Sequence, residues 1–270
     1  MNEETEIPQE HPRAESLRIR KRLVNHCKAG IVAEAGLVAH GRGEAFDYLQ
    51  GEKTTENAFK AIEAAAAALL TAKKHPVISV NGNTAALVAK DIVKLAEVTG
   101  AKIEVNLFHR SVDREIAIKK LLEEAGAKQV LGVGEAASAR IAEIGSERRR
   151  VDPEGILVAD VVLVPLEDGD RTEALEKMGK KVIAIDLNPL SRTAQFATIT
   201  IVDNLMRAMP TLVEIAEELK KEDRSKLNRI LANFSNKKNL GEAICLINQR
   251  LLELAKKGTY ISISPKARET

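Results

Sequence analysis

The stretch ADVVLVPLEDGDRTEALEKMGKKVIAIDL, residues 159–187, decides the fold. It opens on an apolar, β-branched run at 159–166, continues through 170–180 with apolar residues at helical spacing, and closes on a second apolar run at 181–187. Near-continuous apolar runs of this length suit strands buried on both faces, and a helix joining two of them suits a right-handed crossover between parallel strands. The unit recurs outward. VISV at 77–80, KIEVNLF at 102–108, KQVLGVG at 128–134 and ATITIVD at 197–203 are further strand candidates, with helices expected over 84–99 and 111–125. These six runs fit one doubly wound parallel sheet, so the chain is predicted to be α/β with its core over 75–222.

The flanks are helical. Residues 13–28 and 55–73 form, with the HGRG stretch at 40–43, an N-terminal segment over 1–74. Thr54 and Thr55 are cap candidates for its second helix, which runs through the alanine-rich AIEAAAAALL at 61–70. Residues 204–221 read as the last helix of the core, and 223–234 and 239–257 as helices of a C-terminal region over 223–270, ending in the polar tail SPKARET.

Charge and cysteine content exclude several classes of function. The 41 basic and 39 acidic side chains nearly cancel, leaving no net field to gather nucleic acid or anionic lipid. Cys27 and Cys245 lack any CxxC or Cys/His neighbourhood and read as reduced thiols. No apolar run reaches the roughly 18 residues of a membrane helix, and the acidic, proline-broken start MNEETEIPQEHP is not signal-like. A cytoplasmic protein is expected.

Open parallel sheets bind ligands beyond the carboxyl ends of their strands. Here those ends are polar. The first run ends in Asn81–Gly82–Asn83–Thr84, where Asn83 or Thr84 would cap the next helix and leave its N–H groups facing an anion. The fourth ends in Glu167, Asp168, Asp170 and Arg171 around Gly169, and acidic oxygens there suit Mg²⁺ or an amine. The fifth ends in DLNPLSRT at 186–193 and the sixth in Asp203–Asn204, residue types that bind ribose hydroxyls or base edges. Turns and caps favour the same residues. What turn chemistry does not require is so many amides and carboxylates at several strand ends of one sheet.

Two arginines stand out. At 100° per residue, Arg20 falls among Leu17, Ile19, Leu23, Val24 and Cys27, so it is expected to face inward against either a bound phosphate or a protein carboxylate. Arg42, between Gly41 and Gly43, reads as a phosphate clamp on a loop, the alternative being an arginine on a mobile surface loop; the adjacent His40 is given no role. GVGEAA at 132–137 has dinucleotide-motif spacing, but no strand tip carries an acidic residue about 20 positions on. ERRR at 147–150 reads as a solvated charge run, the alternative being that its arginines reach a phosphate before the 159–166 strand. A Walker-type phosphate loop is missing from the sequence.

The stretches HPRAESL (11–17), AGLVAHGRGEAFDYLQGEKTTE (35–56), HPVISVNGNTAAL (75–87), VDPEGILVADVVLVPLEDGDRTEAL (151–175) and VIAIDLNPLSRTAQFATITIVDN (182–204) closely resemble archaeal phosphopantothenate synthetase, the 4-phosphopantoate:β-alanine ligase family of coenzyme A biosynthesis. The likeness runs to about residue 222. It implies a Rossmann-like core, a homodimer, and ATP-dependent amide synthesis from 4-phosphopantoate and β-alanine through an acyl-adenylate. Carried over, the ATP contacts are Arg20, Arg42, Asp186, Leu187, Asn188, Arg192, Thr193, Asn204 and Leu205. Asn81, Gly82, Asn83 and Thr84 are assigned to phosphopantoate, and Asp168 and Asp170 to Mg²⁺ or the amine. A nucleotide-sensing protein without catalysis and a nicotinamide oxidoreductase are the competing readings.

Overall fold

The computed structural model describes residues 7–11 and 13–258; the SPKARET tail lies outside them. Five parallel strands, β1 (Pro76–Val80), β2 (Lys102–Val105), β5 (Val161–Pro165), β6 (Lys181–Ile185) and β7 (Ile199–Ile201), form one sheet in the order β2-β1-β5-β6-β7. Register is set by pairs such as Val80 with Val105, Val77 with Val162, Leu163 with Ile183 and Ile185 with Ile201.

Alternation along each strand divides the apolar residues between two cores. Ile78, Val80, Leu163, Ile183 and Ile185 pack with α1 (Ala14–Lys28), α3 (Glu56–Leu70), α4 (Gly82–Thr99), α5 (Val112–Glu124), α8 (Leu205–Leu219) and α9 (Arg224–Asn233). Val77, Val162, Val164, Val182 and Ala184 pack with α6 (Gly169–Lys177) and the segment from Ile141 to Ala159. Two apolar faces explain why the strands read as continuous apolar runs rather than as alternating ones. On α3, Ala64–Ala68 are all buried, their small side chains letting neighbouring backbones approach closely. Within α4, Val88 leaves helical geometry, and the freed carbonyl of Leu87 accepts from Arg22 Nη1 at 3.1 Å.

Three sequence expectations change. The 128–134 run contributes one parallel bridge, Leu131 to Glu104, instead of a sixth strand, because Gly132 and Gly134 take φ of +77° and +60° and turn the chain away. The HGRG stretch lies inside a helix, α2 (Glu34–Gln50), rather than on a loop. And 139–151 holds a short antiparallel pair, β3 (Ala139–Arg140) with β4 (Arg150–Val151), and just before β4 one arginine of the charged run, Arg148, is buried. The remaining helices are α7 (Arg192–Phe196), unforeseen in the sequence, and α10 (Asn236–Lys257).

Strand order reverses at β1: the chain steps outward to β2, then returns past β1 to β5. The crevice between β1 and β5 is therefore the switch point where such sheets bind ligands.

Candidate active site

The switch point is bridged by Asn81. Its Nδ2 donates to the carbonyls of Pro165 and Leu166 at 3.0 and 3.1 Å, and its Oδ1 caps α4 by accepting from Thr84 N at 3.0 Å. Asn81, not Asn83 or Thr84, is thus the capping residue, because helical geometry already begins at Gly82. Asn83 Nδ2 donates to Gly36 O at 2.8 Å, and the buried Thr84 hydroxyl turns back to Asn81 Oδ1 at 3.0 Å. Most of the side-chain polar groups of the turn serve the scaffold. The N–H groups of Gly82 and Asn83, both buried residues, are the first two of α4 and have no acceptor in its own turns.

Beyond β6, Asp186 accepts from Asn188 N at 2.9 Å and from the Ser191 hydroxyl at 2.5 Å. Burial pushes its carboxyl above the usual carboxylate range, with those bonds and the charge of Arg42 pulling the other way. Ser191 caps α7, accepting from Ala194 N at 2.9 Å. Arg192 reaches Asp170 at 2.5 Å and Glu173 at 3.0 Å and lies 5.8 Å from the Phe196 ring centroid. Thr193 Oγ1 donates to Glu167 O at 2.8 Å. Beyond β7, Asn204 caps α8 through Met206 N at 3.0 Å, with Leu205 buried behind it.

Helix α2 draws these tips together. Gly36 meets Asn83, Gln50 Nε2 donates to Leu187 O at 2.7 Å, and Asp47 Oδ2 accepts from Asn204 Nδ2 at 2.8 Å. Glu44, Asp47 and Gln50 are buried polar residues spaced three apart on one face. That face explains the correction to the HGRG reading: two mid-helix glycines argue for a loop, but tertiary hydrogen bonds from the polar face override propensity. Arg42 is exposed on this helix, makes no hydrogen bond or ion pair among the described residues, and acts electrostatically on Asp186.

Arg20 does not face the core. Its side chain is 42% exposed and pairs with Glu44, Nη2 to Oε2 at 2.6 Å. Of the two partners left open by the helical arc, the structure supplies the carboxylate, because α2 presents Glu44 beside α1. Burial would raise the Glu44 carboxyl, but hydrogen bonds from Ser16, Arg20 and Tyr48 hold it below its usual range. The hydrogen bond to Glu44 in turn raises Arg20.

The β5 tip departs most from expectation. Arg148 of the ERRR run is buried, with Nη1 2.8 Å from Glu167 Oε1 and Nε 3.0 Å from Asp168 Oδ2. It is drawn in by the buried Glu167, which also pairs with Arg171. Asp168 is turned to Arg148 and Asp170 to Arg192, and no cluster of three or more metal-ligating side chains occurs among the described residues. GVGEAA leads into a short 3-10 turn, Gly134–Ala136, and opens no helix for a dinucleotide. Among the described residues no helix is long and apolar enough to cross a membrane.

A family model described as phosphopantothenate/pantothenate synthetase matches residues 57–250. Curated relatives named 4-phosphopantoate–β-alanine ligase are 52% identical in Methanosarcina mazei, over 95% of this chain and 100% of the relative, and 50% identical in Thermococcus kodakarensis, over 94% and 97%. The chain belongs to the phosphopantothenate/pantothenate synthetase family. The match to the synthetase model takes in the whole sheet and its tips, from Asn81 to Asn204, and most of α10. Sequence reasoning missed Glu44, which ties α2 to α1, and the groups that tie the tips of this synthetase fold to α2, namely Asp47, Gln50 and Arg207. The signal available was polar residues at helical spacing between 44 and 50, which carry no apolar periodicity.

Proposed function

We propose that this chain condenses 4-phosphopantoate with β-alanine to 4'-phosphopantothenate at the expense of ATP, a step of coenzyme A biosynthesis. The observation that carries the reading is roughly half identity, over nearly the full length of both chains, with relatives bearing that ligase name. The site chemistry agrees with it. A switch-point crevice crossed by α2 presents the exposed Arg42 and the solvent side of Arg20 and Arg192 to a polyanion, and the Asp186–Asn188 turn and Asn204 supply groups suited to ribose and base.

In this reading the carboxylate oxygen of 4-phosphopantoate attacks the α-phosphorus of ATP, and diphosphate leaves. The neutral amine of β-alanine then attacks the acyl carbon, AMP leaves, and the amine proton passes to solvent. The arginines offset negative charge gathered when two anions are aligned, and the N–H groups of Gly82 and Asn83 face the phosphate of the acid. Mg²⁺, when carried by the nucleotide, would neutralise phosphate charge. Asp168 lies against Arg148 and the exposed Asp170 against Arg192, and no step is assigned to them. The same reading takes the enzyme to be a cytoplasmic homodimer acting on small molecules, without nucleic acid or membrane.

The test is nucleotide chromatography of the purified protein with ATP, 4-phosphopantoate and β-alanine. AMP and diphosphate are expected only when all three are present. ADP would remove the adenylate but leave the ligase, whereas intact ATP would leave a nucleotide-binding protein without catalysis.

A further inference from the structure

Behind the β5 tip lies a charged cluster that no step above uses. Glu167 and Arg171 have side chains only 1% exposed, and Arg171 Nη1 donates both to Glu167 and to Ser79 Oγ, the latter at 3.0 Å. Arg148 closes on the same carboxylate from the other side and donates to Asn106 O at 3.4 Å. Nε and Nη2 of Arg171 have no hydrogen-bond partner among the described residues. Buried ion pairs of this kind add little net stability compared with apolar residues of the same volume. Their use is geometric.

The geometry they hold is the turn from Leu166 to Gly169. Leu166 has φ +53°, a strained conformation for a branched residue that persists only where the surroundings impose it. The constraints are the N–H of Leu166 on Ile185 O at 3.1 Å, Asn81 on the carbonyls of Pro165 and Leu166, and the cluster gripping Glu167. On the outer side of the turn sits the start of α7: Thr193 Oγ1 bonds Glu167 O at 2.8 Å. A Cβ on Gly169 would collide with Cβ of Arg192 and stand 3.3 Å from Thr193 N. Hence Arg192 and Thr193 rest directly on a turn fixed from beneath by Arg148, Glu167 and Arg171.

We propose that the Arg148–Glu167–Arg171 cluster is a positioning device for the nucleotide, setting Arg192 and Thr193 through the Leu166–Gly169 turn without touching the ligand. The inference rests on the reading that ATP meets Arg192 and Thr193. Arg171 is the positioning residue to vary, since Arg171→Met leaves Glu167 paired with Arg148 and so creates no unpaired buried charge. Gly169→Ala is the second variant, altering the seat of α7 while keeping every charge.

The experiment compares Arg171→Met, Gly169→Ala and the charge-keeping Arg171→Lys with the wild type. Readouts are ATP Kd by calorimetry, KM for ATP and for β-alanine, and Tm. For the first two variants we expect ATP Kd and KM to rise about tenfold with the β-alanine KM within about twofold, and for Arg171→Lys a smaller rise. The lysine variant keeps the test open should either of the others fail to fold. Unchanged ATP Kd in folded variants, or ATP and β-alanine KM rising together with a fall in Tm, would reduce the cluster to a structural role and overturn the proposal. A wild type that binds no ATP would instead sink the underlying nucleotide reading, and the positioning device with it.

Discussion

Asp47 on α2 and Arg207 on α8 form a forked ion pair, Nη2 to Oδ1 at 2.6 Å and Nη1 to Oδ2 at 3.2 Å. The same carboxylate accepts from Asn204, and Arg207 also holds Asp203 at 2.6 Å. One buried side chain thereby fixes α2 to the β7 tip and aims the amide of Asn204.

Asp47→Asn should break the fork but leave Arg207 paired with Asp203. Loss of one partner of a buried pair costs about 3–5 kcal/mol, and the retained carboxylate lowers this to about 2 kcal/mol. At about 2–4 °C per kcal/mol for a chain of this size, Tm should fall by about 4–8 °C, measured by calorimetry. A Tm unchanged within about 1 °C would mean that α2 is held by other contacts.

Arg20→Ala and Arg42→Ala should separate activity from stability. Arg20 makes a half-exposed pair, of a type that contributes about 0–1 kcal/mol, and Arg42 makes none among the described residues. Thermal scans should therefore shift by no more than about 2–3 °C, while ATP-dependent turnover drops about a hundredfold or more as charged phosphate contacts are lost. For Arg20, the reverse outcome, a large Tm loss with turnover kept, would leave only its structural tie to Glu44.

The fully buried Glu104 should impose a pH dependence on stability. Burial pushes its carboxyl from 4.5 up to about 7, against the N–H bonds from Ile156 and Asp152 and the charge of Arg171. Between those values the folded chain keeps a proton that the unfolded chain has released. Its contribution to stability thus declines as pH rises through this window and is flat above it. Glu104→Gln should flatten the dependence of Tm on pH between about 5 and 7 while lowering Tm overall, since one of its two backbone N–H bonds loses its acceptor. Parallel wild-type and variant profiles would place the titration elsewhere.

Pantoate should be a far poorer substrate than 4-phosphopantoate. Two or three unpaired charge-assisted contacts at about 1.5–3 kcal/mol each correspond to roughly 10²–10⁶ in kcat/KM. Comparable values at saturating ATP and β-alanine would put the phosphate in solvent and release Gly82 and Asn83 from their role.

Sequence by itself determined the α/β class, five of the six strand positions, the flanking helices and the polar character of the strand tips. Each follows from local information: apolar runs need two covered faces, helical spacing needs a partner layer, and Asn, Asp and Ser end strands and start helices whatever lies beyond. Tertiary structure alone decided strand order and therefore which tips meet. It decided that Asn81 bridges β1 and β5, that Arg20 turns to Glu44, and that Arg148 leaves a charged run for the interior. It also made a helix of the HGRG stretch. These outcomes turn on polar side chains whose partners lie 19 to 160 positions away, such as Arg148 with Glu167 and Asp47 with Arg207. Burying a charge is unfavourable until its partner arrives, so no local pattern records that it will be buried.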